Sequence, residues 1–343
     1  MKTGYAIVYA VKDGQRLCAL LYENKLWHLS VEPQAGTPFG YGAIVRAKIL
    51  QPLAGNQFLA DIGDSQPALL ESPQKMPLTI GASLIAQIKR PPQLKKGAAV
   101  TTDLRWPLRS GTYHFDAMNG SWQSDTARPE PEGISVTASA WVAQGQAMTQ
   151  PGMVTPLLSE AQQILLALPG LDQVYFADLA SRQDWLQQIE SYPDLLATDH
   201  TIVPANEFNH IGDWQEQWHA ATMADYRHSS GCKLFFESAH TLALVDVDQA
   251  GQAMAHVTAN AALVPEIARL IAVKNFSGIV LVDFLKMSRP AERQQISDLM
   301  QQWLSRSVLG GRVFGFTATG LLELTRPRRF GALPPYTIWF TGS

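Results

Sequence analysis

A chain of 343 residues, 46% of them hydrophobic and 17% charged, can bury a substantial core and should divide into two or three folded units. Its two cysteines, Cys18 and Cys232, exclude a disulfide framework and a cysteine zinc site, and no run approaches the ~18 apolar residues of a membrane span. The net charge of −3 excludes bulk attraction to nucleic acid. The charge is nevertheless uneven: residues 41–110 hold 9 basic and 4 acidic side chains, residues 111–230 hold 3 and 15, and residues 231–343 hold 11 and 8. A polyanion would meet the first and last of these blocks and be repelled by the middle one.

The opening MKTGYAIVYAVKDG is too short, and too interrupted by Tyr5 and Tyr9, for a signal peptide. Together with the cysteine count this points to the cytoplasm. From Tyr41 to Thr102 short strands follow at close spacing: AIVRAKIL, QFLADIG, PALLES, ASLIAQIK and AAVTT. In ASLIAQIK, Leu84, Ala86 and Ile88 alternate with Ser83, Gln87 and Lys89, with Ile85 out of phase. Lys89, Arg90, Lys95 and Lys96 cluster at its end. Five strands with a basic rim over residues 41–105 suit an OB-fold, a platform for single-stranded nucleic acid that other small barrels imitate in sequence. Residues 106–157, rich in Gly, Pro, Ser and Thr, read as a connector or small appended unit. Beyond them LLSEAQQILLAL and ASRQDWLQQIES have helical periodicity and flank a buried strand, QVYFADL. Trp214, Trp218 and Ala221 then form a packing stripe at helical spacing.

The last third carries the chemistry. LALVDVD and GIVLVDFL are continuous apolar runs that each reach an aspartate, and ANAALVPEIARLIAVK between them is helical despite Pro265. Strand, helix, strand implies a parallel pair with a right-handed crossover, completed by the helix QQISDLMQQWL and the strands RVFGFTA and LLELTR. Asp246 and Asp283 would then face one another at the carboxyl edge, about 4.8 Å apart between strand axes. Two carboxylates that close either share a proton or bind a cation, and all-oxygen ligation favours magnesium or manganese. Alternatively each aspartate caps the turn that follows. Spacing alone leaves both readings open.

GCKLFFESAHTLALVDVDQAG, then ANAALVPEIARLIAVKNFSGIVLVDFLKM, then GFTATGLLELTRPRR, resembles the catalytic segment of the bacterial ribonuclease E/G family in order and spacing. IVRAKILQPLAGNQFLADIG and KKGAAVTTDL resemble its inserted RNA-binding barrel, and RLCALLYENKLWHLSVEP more loosely its opening strands. The resemblance implies an α/β multidomain fold. An RNase H-like subdomain (1–40 and 158–230) would take the OB-fold barrel (41–105) as an insert. A connector or remnant of the family's 5′-sensing region (106–157), an α/β DNase I-like catalytic subdomain (231–330) and a tail (331–343) would follow. It also implies hydrolysis of single-stranded RNA, with Asp246 and Asp283 as magnesium ligands (manganese second), Asp248 at the position of a site-orienting asparagine, and a homodimer through the catalytic layer. Lys89, Lys95, Lys96, Lys286, Arg326 and Arg328 become candidate RNA contacts.

Several departures qualify what the resemblance implies. Leu59 and Ala68 replace barrel aromatics that stack on bases, so RNA affinity should fall. EGISVTASAW has no arginine for a 5′ monophosphate, and FGALPPYTIWFTGS lacks the paired cysteines of a zinc-linked tetramer. Lys286 stands where the family carries an acid. No Gly-rich phosphate loop, HExxH or GxSxG occurs, and no histidine is assigned a role. A non-catalytic RNA-binding or regulatory relative is therefore the competing expectation, and a partner-binding module built on the acidic block 111–230 is a third.

Overall fold

Two tight hairpins begin the fold. The structure, a computed structural model, describes residues 4–34, 39–72, 78–92, 96–108, 111–116, 121–124, 134–155, 159–168, 171–189, 199–203, 205–208, 210–239, 242–249, 255–330 and 333–335. Strands β1 (Tyr5–Lys12), β2 (Gln15–Tyr22) and β3 (Lys25–Pro33) are antiparallel neighbours. The turn pairs Asp13-Gly14 and Glu23-Asn24 all have positive φ, the backbone of two-residue turns whose twist matches the strands they join.

The chain then leaves this sheet. Strands β4 (Ile44–Pro52), β5 (Gln57–Asp61), β6 (Ala68–Glu71), β7 (Ser83–Arg90) and β8 (Ala99–Thr101) are the five expected runs, and β4 pairs with both β5 and β7, which closes a barrel. Its interior is filled by Val45, Ala47, Ile49, Phe58, Ala60, Ala68, Leu70 and their neighbours. The described residues of 106–157 include regular elements. A three-stranded meander of β9 (Leu104–Leu108), β10 (Gly111–Asp116) and β11 (Ser121–Ser124) leads to helix α1 (Ile134–Ala147) and the short β12 (Gly152–Met153) on β4. Helix α1 explains the out-of-phase Ile85, because it covers the outside of β7 there: a side chain on Gly145 would collide with Ile85 and Val154.

After α2 (Glu160–Ala167) the chain returns to the first sheet. Strand β13 (Leu171–Phe176), α3 (Leu179–Ile189) and β14 (Asp199–Ile202) follow, with β13 parallel to β1 and β14 parallel to β13, so the order is β14-β13-β1-β2-β3. Helix α4 (Trp214–Thr222) buries Trp214, Trp218 and Ala221, as their spacing predicts. A second six-stranded sheet runs β15 (Asp225–Arg227), β16 (Cys232–Ser238), β17 (Leu242–Gln249), β18 (Gly278–Asp283), β20 (Leu322–Arg326) and β19 (Arg312–Phe316) in spatial order. The crossover helix α5 (His256–Val273) joins the parallel strands β17 and β18, and α6 (Pro290–Leu304) follows. One core holds β1–β3, α4, α5 and the inner face of this sheet. Among the described residues no helix is long and apolar enough to cross a membrane.

The first sheet carries a polar cluster. Asp184 accepts bonds from Tyr9 (2.7 Å), Arg16 (2.9 Å) and Gln34 (2.8 Å), and these outweigh burial to hold its carboxyl below the usual range. Nearby, the Glu32 carboxyl is pushed up to about 7 by burial and by the charge of Glu160. An unfolded glutamate ionises near 4.3, so the folded chain binds the extra proton between these values and stability falls as pH rises through that window. Glu32→Gln should therefore gain on the order of 1–2 kcal/mol over wild type at pH 8 and nothing at pH 4, read from urea midpoints at both pH values.

Candidate active site

Continuous apolar sequence makes β17 and β18 interior strands, and α5 sets them side by side. In their register Asp246 lies directly opposite Asp283, at the carboxyl ends of both strands. Val245, Val247 and Val282 point into the core, so both aspartates project from the opposite, exposed face. Partial burial and then the charge of Asp246 raise the Asp283 carboxyl above its ordinary value, as expected of adjacent carboxylates. Asp248 shares the face one pleat further along, opposite Lys233 of β16 and beyond the end of β18. Among the described residues no group of three or more His, Cys, Asp or Glu side chains could hold a metal. The arrangement is a pair of carboxylates.

The loop after Asp283 is held from α5. Buried Asn260 donates to the Leu285 carbonyl (2.8 Å) and accepts from the Leu285 amide (3.1 Å), and His256 Nδ1 lies 2.9 Å from the Lys286 carbonyl oxygen. Sequence reasoning passed over Asn260. Its signal is a lone amide in ANAALVPEI, one turn before the buried Leu263 and Val264.

The remaining candidates scatter. Lys286 is exposed two residues past Phe284, on the aspartate edge. Lys89 is exposed at the barrel rim and paired with Glu71 at 2.8 Å, Lys96 is exposed, and Lys95 lies outside the described residues. One expectation is corrected. Arg326 is 4% exposed and gives its guanidinium to the carbonyls of Ile271 (3.0 Å), Phe276 (2.7 Å) and Gly310 (3.2 Å), so it is an internal brace and not an RNA contact. Arg328 packs its guanidinium over Gly278, where a Cβ would overlap it and where φ is +77°. Gly278 starts β18 and Asp283 ends it, so Arg326 and Arg328 lie about 17 Å from the aspartates along the strand. In the barrel Ala68 faces inward, paired with Ala60, while Leu59 pairs with Leu69 on the outer face. An aromatic at Ala68 would fill the barrel rather than stack on a base.

Residues 168–329 match the Ribonuclease E/G family. The match covers 162 of the 343 residues, and through this segment the chain is similar to the ribonuclease E/G family. The matched segment contains Asp246, Asn260 and Asp283, whereas the barrel precedes it. Ribonuclease G of Escherichia coli (strain K12) is 37% identical over 62 residues, which is 18% of this chain and 13% of that protein. Ribonuclease G of Shigella flexneri is 37% identical and that of Salmonella typhimurium (strain SL1344) 34% identical over stretches of the same length. The alignment thus spans about an eighth of these curated ribonucleases.

Removing the Asn260 amide strands the Leu285 amide and carbonyl, each of which costs roughly 1–3 kcal/mol when buried unpaired. Asn260→Ala should lower the urea midpoint by an amount equivalent to about 2 kcal/mol with an unchanged m-value, and should speed amide exchange in residues 284–286.

Proposed function

We propose that this chain is an endoribonuclease that hydrolyses single-stranded RNA, with Asp246 and Asp283 holding magnesium, or manganese in its place. The observation that carries this reading is the register pairing of the two aspartates on an open sheet face, inside the segment that matches the ribonuclease E/G family. The donor set suits the ion: two exposed carboxylates supply oxygen ligands only, and magnesium binds through one or two carboxylates while keeping waters and substrate phosphate. When bound, the ion would lower the pKa of the attacking water and offset charge growing on the phosphate.

The protein's own groups do the positioning. Asp246 and Asp283 would hold the ion, Asn260 holds the loop that follows Asp283, and Lys286 contacts the RNA backbone from that loop. Asp248 orients the site from the neighbouring pleat. Lys89 and Lys96, with Lys95 beside them in sequence, receive RNA at the barrel rim. In this reading residues 1–40 and 158–230 form an RNase H-like subdomain, supported by three antiparallel strands followed by two parallel to β1. Residues 41–105 are its inserted OB-fold, 106–157 the remnant of a 5′-sensing region or a connector, 231–330 a DNase I-like catalytic subdomain and 331–343 a tail. Two copies pair through the catalytic layer without zinc-linked tetramers, in the cytoplasm, where the two buried free thiols stay reduced.

One observation favours a non-catalytic RNA-binding relative instead. The outer face of the barrel presents Leu59 beside Leu69 where bases would need aromatic rings, and Glu71 already engages Lys89.

Cleavage of a fluorescent AU-rich single strand separates the two readings. Wild type with magnesium should cut, and Asp246→Asn or Asp283→Asn should each lose at least about a hundredfold in rate. RNA left intact by wild type in both magnesium and manganese refutes the enzyme reading, and a mobility shift without cutting would support the alternative. Substrates with a 5′ monophosphate and a 5′ triphosphate should be cut at rates within about twofold, because α1 offers no arginine to read the end; a clear monophosphate preference would contradict this.

A further inference from the structure

The open face of the second sheet is laid out in rows across its strands. Register places Asp225, Phe235, Asp246 and Asp283 side by side on β15, β16, β17 and β18. One pleat further, Arg227, Lys233 and Asp248 form the adjoining row. The intervening residues Tyr226, Leu234 and Val247 turn to the helices, so every member of both rows lies on the outer face. Phe235 is 36% exposed, unusual for an aromatic side chain between two aspartates. Arg227 and Lys233 are neighbours on adjacent strands, and Asp248 lies opposite Lys233 on its other side.

We propose that this face is the substrate track of the cleavage centre: Phe235 stacks on the base next to the scissile phosphate, and Arg227 and Lys233 grip the following phosphate. The proposal rests on the reading of Asp246 and Asp283 as an RNA-cleaving pair. It names where the strand lies and what fixes its position. The chemistry fits one occupant. An aromatic face accepts any base, two cations about 7 Å further along the strand direction accept a backbone phosphate, and a single-stranded nucleic acid offers both groups in alternation with a bond to be placed at the aspartates; the reading on which the proposal rests makes that strand RNA. An acidic peptide would meet the cations but brings no base to stack on Phe235. A paired duplex would keep its bases from Phe235.

The track also compensates for the barrel. Stacking missing at Leu59 and Leu69 is supplied at the catalytic sheet, so base preference would be set beside the bond that breaks rather than at a distance from it.

The test uses the full chain and a short single-stranded RNA carrying a fluorescent adenine analogue, bound with calcium in place of magnesium. Stacking on Phe235 should quench the analogue. Phe235→Leu should abolish the quench and weaken binding about tenfold, and Phe235→Tyr should keep both. Arg227→Gln with Lys233→Gln should reduce the slope of log affinity against log salt by about 0.7, the amount for one lost phosphate contact on a single strand. An unchanged quench and affinity in Phe235→Leu, an unchanged salt slope in the double variant, or no RNA binding by wild type would each overturn the track. Thermal unfolding identical to wild type ensures that the variants report on binding. Cleavage with magnesium is scored separately: quenching by a wild type that does not cut leaves the track standing and removes the enzyme reading. Cutting with kcat, KM and base preference unchanged in Phe235→Leu removes the track and leaves the enzyme.

Discussion

The burial of α5 on two sides is the constraint on which the aspartate edge depends. Parallel strands cannot be joined by a tight turn, so β17 and β18 stand side by side only because the helix between them packs back onto their sheet. Twelve of its 18 residues are buried. One flank covers the second sheet, while the other meets the first unit, where Arg269 donates to the Leu26 carbonyl at 2.9 Å and pairs with Glu266. Burial, and then the charge of and a hydrogen bond to the same glutamate, push the Tyr226 phenol up to about 12. The buried ion pair thus ties α5 to β3 and β15 at once, and it fixes which way the helix is rotated. A proline inside such a helix normally costs about 3 kcal/mol; Pro265 is tolerated in a segment that tertiary packing holds from both sides.

Rotation of α5 matters because its first turns set the loop beyond Asp283. Asn260 reads the backbone of Leu285 with both its donor and its acceptor, and a helix turned by one residue would aim a different side chain there. The carboxylate pair, its supporting loop and the distant contact with β3 therefore form one mechanical unit, whereas the barrel is a separate closed sheet with its own core. Strain or mutation in the barrel should disturb its own core before it reaches the aspartates.

Much of this arrangement was legible in the sequence where one periodicity dominated. All five barrel strands and the β17, α5, β18 order follow from alternation and from continuous apolar runs. Trp214, Trp218 and Ala221 pack as their spacing indicates. The failures have a common physical origin, namely that sequence gives side-chain type but neither phase nor address. Ala68 was placed on the wrong side of a strand, since a barrel interior accepts alanine as readily as a surface does. Arg326 lies at the end of a strand antiparallel to β18, so it returns to its start. Residues 104–124 form a meander whose Gly and Ser content hid its strands. Ile85 looked out of phase because α1, remote in sequence, covers it.

The fate of the cations has a consequence for how RNA arrives. Arg269, Lys274 and Arg326 direct their charges at carbonyls or at Glu266 inside the protein. Arg306 and Arg329 lie across the rings of Trp303 and Tyr41. The basic excess of residues 231–343 is thus largely structural mortar. Long-range attraction scales with charge facing solvent and fades over roughly 8–10 Å in physiological salt. Encounters with a polyanion should therefore be collisional rather than steered, with selection occurring after contact, by what the open sheet face presents at short range.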